Sequence, residues 1–188
     1  MRTVFLVLAF FIVSPMLQAQ TDTSLRAMNE REKELYKQIM EYRSKKRLNS
    51  ISISPALTKV AQCHIRDLNN FPPEKKCGMH SWSENGPWKP VCYSRNSKGP
   101  ALMWSKPAEL TSYSGNGYEI AFWTTDTAFT AEDALNGWKT SPPHNSVIMN
   151  LGMWKDSKWK AIGIAVEGNY AVVWFGVETD SAGEISVQ

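Results

Sequence analysis

Three histidines are the first residues in this chain to ask for a chemical role. His80 sits in Gly78-Met79-His80-Ser81-Trp82-Ser83-Glu84-Asn85-Gly86, and His144 in Trp138-Lys139-Thr140-Ser141-Pro142-Pro143-His144-Asn145-Ser146. Both lie in loop or helix-start sequence beside small polar residues and a tryptophan, where a scaffold tends to hold functional groups. A turn-capping role fits each of them equally well on local sequence. Imidazoles at such places can accept or donate a proton, bind a ligand through a ring nitrogen, or hold a zinc-like cation. His64 differs: it falls on the apolar stripe of a helical pattern, which points to a hydrogen-bonded histidine at the edge of the core. Ser81, Ser141 and Ser146 are conceivable nucleophiles, but no Gly-x-Ser-x-Gly element accompanies them.

Elements of both kinds must position these groups. The stripe Leu25, Met28, Leu35, Ile39 and Met40 predicts a helix over about 24–46. Ser54-Pro55 reads as an N-cap followed by proline at the first helical position. Leu57, Val60, Ala61, His64 and Leu68 then predict a second helix over 55–69. From Asn69 to about Asn116 prolines and glycines break the pattern. Trp82, Trp88, Tyr93, Trp104, Tyr113 and two cysteines there indicate a long loop that is ordered and packed. Thr130-Ala131-Glu132-Asp133 resembles a capping box opening a short helix to about Lys139, and Ser141-Pro142 repeats the cap-then-proline signal. Residues 159–166 and 170–178 alternate as strands around a hairpin turn at Glu167-Gly168-Asn169. The combination predicts one mixed α+β domain in layers.

Met1 to Ala19 reads as a secretory signal: Arg2, then an apolar run from Val4 to Leu17, then a small residue. Ser14 and Pro15 interrupt the run, which is shorter than the roughly 20 residues a spanning helix needs, so an integral membrane protein is not expected. Residues 20–188 then form one domain working outside the cytoplasm, either retained in a periplasm or released. The net charge of +3 is too small for a nucleic-acid partner. In an oxidising compartment the three cysteines allow one disulfide. Cys77–Cys92 is favoured because both lie in the irregular stretch, while Cys63 falls in a helical pattern and reads as a buried thiol. At least five of the eight tryptophans should pack the core. Trp82, Trp123 and Trp138 lie near the candidate groups and offer aromatic faces.

The order of these segments resembles the CAP superfamily of cysteine-rich secretory, antigen 5 and pathogenesis-related proteins, and its bacterial secreted branch in particular. The resemblance rests on SPALTKVAQCHIRDL, MHSWSENG, GYEIAFW, AEDALNGWKTSPPHNSVIM and AIGIAVEGNYAVVWFGV, and runs from about residue 30 to 178. It implies an α-β-α sandwich with a small antiparallel sheet and a cleft holding two histidines and two acids. The first family histidine falls on His80, the second on His144 and the first acid on Glu119. Tyr118 separates Glu119 from Gly117, and Ile120 replaces the family's asparagine. The second acid falls on Ser141, which carries no charge; Glu84 or Glu132 are its possible substitutes.

A two-histidine site falls short of the three protein ligands usual for catalytic zinc, so at most weak metal binding at His80 and His144 is expected. The resemblance thus implies a cleft of His80, Glu119, His144, Ser141 and Glu84 that takes a lipid, glycan or protein without catalysing a reaction. A metal-assisted peptidase, a cell-wall-directed hydrolase and a structural or adhesive role are the alternatives.

Overall fold

A computed structural model describes residues 23–94 and 99–187. The predicted signal segment lies outside the described residues. Among the described residues eleven elements follow one another: α1 (Glu30–Ser44), β1 (Ser52–Ile53), α2 (Pro55–Asn70), α3 (Gly99–Trp104), α4 (Lys106–Leu110), β2 (Gly117–Trp123), α5 (Ala131–Lys139), α6 (Pro142–Ile148), a 3-10 turn (Gly152–Trp154), β3 (Ala161–Glu167) and β4 (Tyr170–Gly176).

The four strands form one sheet in the order β1-β3-β4-β2. β3 and β4 form the expected hairpin, and Gly168 supplies the positive φ of +56° that its turn requires. β2 pairs antiparallel with β4, whereas β1 pairs parallel with β3. The sheet is therefore mixed, not wholly antiparallel. A two-residue strand is too short to carry an alternating pattern, and the segment GYEIAFW that forms β2 is marked in the sequence only by its family resemblance.

Alternation along the strands divides the core in two. Ile120, Ile162, Ile164, Val173 and Phe175 meet α1, α5 and α6 on one face. Ala121, Ala161, Ala165, Val172 and Trp174 meet α2 on the other. The result is the expected three-layer α-β-α arrangement. α2 presses so closely on β3 that a Cβ at Gly163 would lie 2.0 Å from the Leu57 backbone. Eleven of its sixteen residues are buried, so its outer side is covered too, by the loop carrying Trp82, Trp88 and Val91.

Caps fix the helix starts. Ser54 accepts from the Leu57 N–H, and Thr130 forms a reciprocal capping box with Asp133. α1 begins later than its apolar stripe suggested, because Asn29 and Glu32 close a capping box that stops the helix at Glu30. Leu25 and Met28 thus precede α1. Ser141 stands at the N-cap of α6, but its side chain makes no capping bond. The irregular stretch contains α3 and α4, which its prolines masked. Five tryptophans are buried, namely Trp82, Trp88, Trp138, Trp159 and Trp174, while Trp123 is half exposed. No helix among the described residues is long and apolar enough to cross a membrane.

Candidate functional site

Glu119 is the centre of the site. It lies on β2 opposite Trp174, and that register turns its side chain to the α2 face of the sheet. Its carboxylate is buried and both oxygens are taken by histidines. His64 Nδ1 lies 2.5 Å from Oε2, and His80 Nδ1 lies 2.7 Å from Oε1.

His64 comes from the middle of α2 and is fully buried, with its ring stacked on Trp82 at 4.3 Å between centroids. Its Nε2 lies 2.9 Å from the Ser81 carbonyl oxygen, which can only accept, so Nε2 carries hydrogen. Burial disfavours charge on the ring. The Glu119 charge and hydrogen bond, with the Ser81 carbonyl, outweigh it and raise the His64 pKa. Burial likewise opposes ionisation of Glu119, but the charge and hydrogen bond of His64, followed by those of His80, hold it below the usual carboxylate range. Both shifts favour the imidazolium–carboxylate form of the pair.

A clasp delivers His80. The predicted disulfide Cys77–Cys92 closes it. Trp82 and Val91 exchange backbone hydrogen bonds at 2.8 and 2.9 Å, and the Gly78 N–H donates to the Tyr93 carbonyl at 2.7 Å. Ser81 Oγ accepts from the Tyr93 N–H, and the Tyr93 ring meets His80 edge-on at 5.0 Å. α2 grips the clasp through Asp67, which accepts from both the N–H and the hydroxyl of Ser83. Buried Lys106 braces it from the far side, donating to the Lys89 carbonyl and to Glu109.

His144 arrives from α6. Trp138, at the end of α5, donates to the Ala121 carbonyl at 3.1 Å and ties that helix to β2. Tyr42 of α1 donates to Asn145 Oδ1 at 3.0 Å and fixes α6. The His144 ring then lies 6.3 Å from that of His80. Burial, then the charge of His80, lower its pKa, with Glu119 opposing. Neither His144 nor His80 Nε2 takes a protein hydrogen bond among the described residues.

The structure thus brings together His80, Glu119 and His144. Ser141 is partly exposed at the start of α6, and its hydroxyl bonds to neither histidine. The Ser146 hydroxyl donates to the Pro143 carbonyl. Glu84 is exposed, lines an open groove of about 710 Å³ together with Phe71, Pro72, Trp82 and Val91, and hydrogen-bonds to neither histidine among the described residues. Glu132 lies on the outer surface between α1 and α5. Among the described residues no three His, Cys, Asp or Glu side chains are arranged to hold a metal. Two imidazoles with Glu119 already engaged do not fit a catalytic zinc, which takes three protein ligands.

His64 was expected to be a hydrogen-bonded core residue, and it is one. That its partner would be the site carboxylate was hidden. Its i+3 neighbour Asp67, polar on the same buried helix and holding Ser83, was the signal that this face of α2 supports the site.

The profile of the cysteine-rich secretory protein (CAP) family matches residues 36–177. The chain belongs to this family. Among solved structures it is similar to an outer surface protein from Borrelia burgdorferi, with 20% identity and a TM-score of 0.55 over 82% of this chain and 97% of that one. It is also similar to a cysteine-rich secretory protein from Staphylococcus aureus, with 15% identity and a TM-score of 0.52 over 79% of this chain but 39% of that one. At such identities the likeness shows the fold alone. No curated protein matches the chain.

Proposed function

We propose that this chain is an exported CAP-domain recognition module that grips its ligand with His80 and His144 and performs no hydrolysis. The observation that carries this reading is that both Glu119 oxygens are spent on histidines. A carboxylate so engaged, with a lowered pKa, is a poor base for activating water. At the place of the family's second acid stands Ser141, whose hydroxyl hydrogen-bonds to neither imidazole among the described residues. What remains for a ligand is imidazole chemistry. With Nδ1 engaged by Glu119, His80 leaves Nε2 for a ligand, and burial holds His144 toward its neutral form, in which one ring nitrogen accepts. His144 then accepts a hydrogen bond, and His80 Nε2 is free to engage the same ligand. The matching ligand carries hydroxyl or amide donors, as a glycan or an extended peptide does, whereas an acyl chain does not.

The test compares the wild type with the His80→Ala/His144→Ala variant for retention on immobilised cell-wall glycan and on peptide arrays. Each lost hydrogen bond to a ligand costs about 0.5–1.5 kcal/mol. Retention by the variant should therefore fall about tenfold. Unchanged retention of every bound ligand would contradict the reading. Turnover of glycan or peptide that disappears in Glu119→Gln would replace it with the hydrolase reading.

A further inference from the structure

The turn between α6 and β3 displays apolar side chains on a rigid support. Asn150 has φ +50° and Gly152 φ +57°, so the chain passes twice through the left-handed region around Leu151. Asn150 is clamped in that conformation. Its Nδ2 donates to the carbonyls of Trp154 and Ser157 at 3.1 and 2.7 Å, and its Oδ1 accepts from Arg43 at 2.9 Å. Arg43 is itself buried and donates to the Ile148 carbonyl. Trp154 packs inward against Tyr118 at 4.8 Å and Trp159 at 5.6 Å.

What this support presents is unusual for a solvated turn. Met153 is 77% exposed, the most of any large apolar side chain described, and Leu151 is 45% exposed. Around them stand Lys155, Lys158 and Lys160, all exposed and none in an ion pair among the described residues. Asp156 is the one acid between residues 150 and 160. Met153, Lys158 and Lys160 share a shallow groove with Asp156 and Glu178, so Met153 is adjacent in space to two of the three lysines.

We propose that this turn is a docking surface for an anionic lipid bilayer, with Leu151 and Met153 entering the interface and the three lysines meeting the headgroups. Apolar side chains gain by leaving water at the acyl boundary, and each lysine gains within a Debye length of a negative surface. A pre-formed turn loses little conformational freedom on docking. A second copy of the chain is a poorer occupant, because a two-fold contact on this patch would set lysines against lysines. The proposal is independent of the histidine cleft.

Co-sedimentation tests it, using vesicles of phosphatidylcholine with phosphatidylglycerol beside vesicles of phosphatidylcholine alone. The chain should partition to the anionic vesicles and release as salt is raised. Leu151→Ser/Met153→Ser should lower partitioning about tenfold, and Lys155→Gln/Lys158→Gln/Lys160→Gln about a hundredfold. The side chains are exposed, so each variant should fold, and circular dichroism is the check. Absence of wild-type binding, equal binding to neutral vesicles, or binding that survives Leu151→Ser/Met153→Ser would each overturn the proposal. Concentration-dependent dimerisation abolished by the same double variant, without vesicle binding, would assign the patch to a second copy instead.

Discussion

The two oxygens of Glu119 face two different environments. On the Oε2 side, His64 is sealed between Trp82 and the sheet, and both of its ring nitrogens are bonded. On the Oε1 side, His80 is partly exposed and engages one nitrogen only, with His144 beside it. The same residue type is used in opposite ways. A histidine with every polar atom satisfied inside the protein serves the fold, while one with an unspent nitrogen at the surface has something left for a ligand. The sealed side also orders the open side. His64 holds the Ser81 carbonyl and Glu119 together, and Glu119 holds the ring of the residue just before Ser81. The loop histidine is thus fixed through a closed path of hydrogen bonds.

The comparison breaks most sharply on its sealed side. Removing one partner of a buried pair leaves the other charge uncompensated, at a cost of about 3–5 kcal/mol. His64→Ala should reach that range because it also strips the stacked face of Trp82, and urea unfolding measures it. His80→Ala and His144→Ala should cost about 1 kcal/mol or less. Equal losses for the three would erase the distinction.

The pair also sets a pH signature. A raised His64 pKa gives stabilisation that is complete below the unfolded value near 6.5 and fades as pH rises through the folded value. A lowered Glu119 pKa gives stabilisation present above the unfolded value near 4.5 and lost as pH falls through the folded value. The stability difference between wild type and Glu119→Gln should therefore be greatest between about pH 4.5 and 6.5 and shrink on both sides. His144, shifted the other way, is common to both proteins and largely cancels. A difference that grows steadily with pH would break the assignment.

Opening the clasp is the next largest change. Cys77 and Cys92 are 15 residues apart, and closing a loop of that size is worth about 3 kcal/mol. Cys77→Ser/Cys92→Ser should lower stability by about that amount. It should loosen His80 far more than His64, because His64 is carried by α2. Side-chain relaxation of the two rings by NMR would separate them.

How much of this was legible depended on whether a feature was local. The caps at Ser54 and Thr130, the β3–β4 hairpin and the Cys77–Cys92 pairing are each encoded within one short stretch of chain, no more than about 16 residues long, and each was readable. β1 was not, since a parallel pair joins segments more than a hundred residues apart. Within the site, His80 and His144 announced themselves by their loop settings, and Glu119 emerged only through family order. His64 was placed correctly in the core, but its bond to Glu119 spans 55 residues and no local pattern encodes it. Glu84 is the converse case: it lies four residues after His80 in sequence, yet it is exposed and hydrogen-bonds to neither site histidine among the described residues.

The most direct test of the account is the protonation of the three imidazoles, read from long-range nitrogen–proton correlations in labelled protein near pH 6. The account predicts two protonated nitrogens on His64, and hydrogen on Nδ1 of His80 facing Glu119. A neutral His64, or a His80 bearing hydrogen on Nε2 alone, would contradict it.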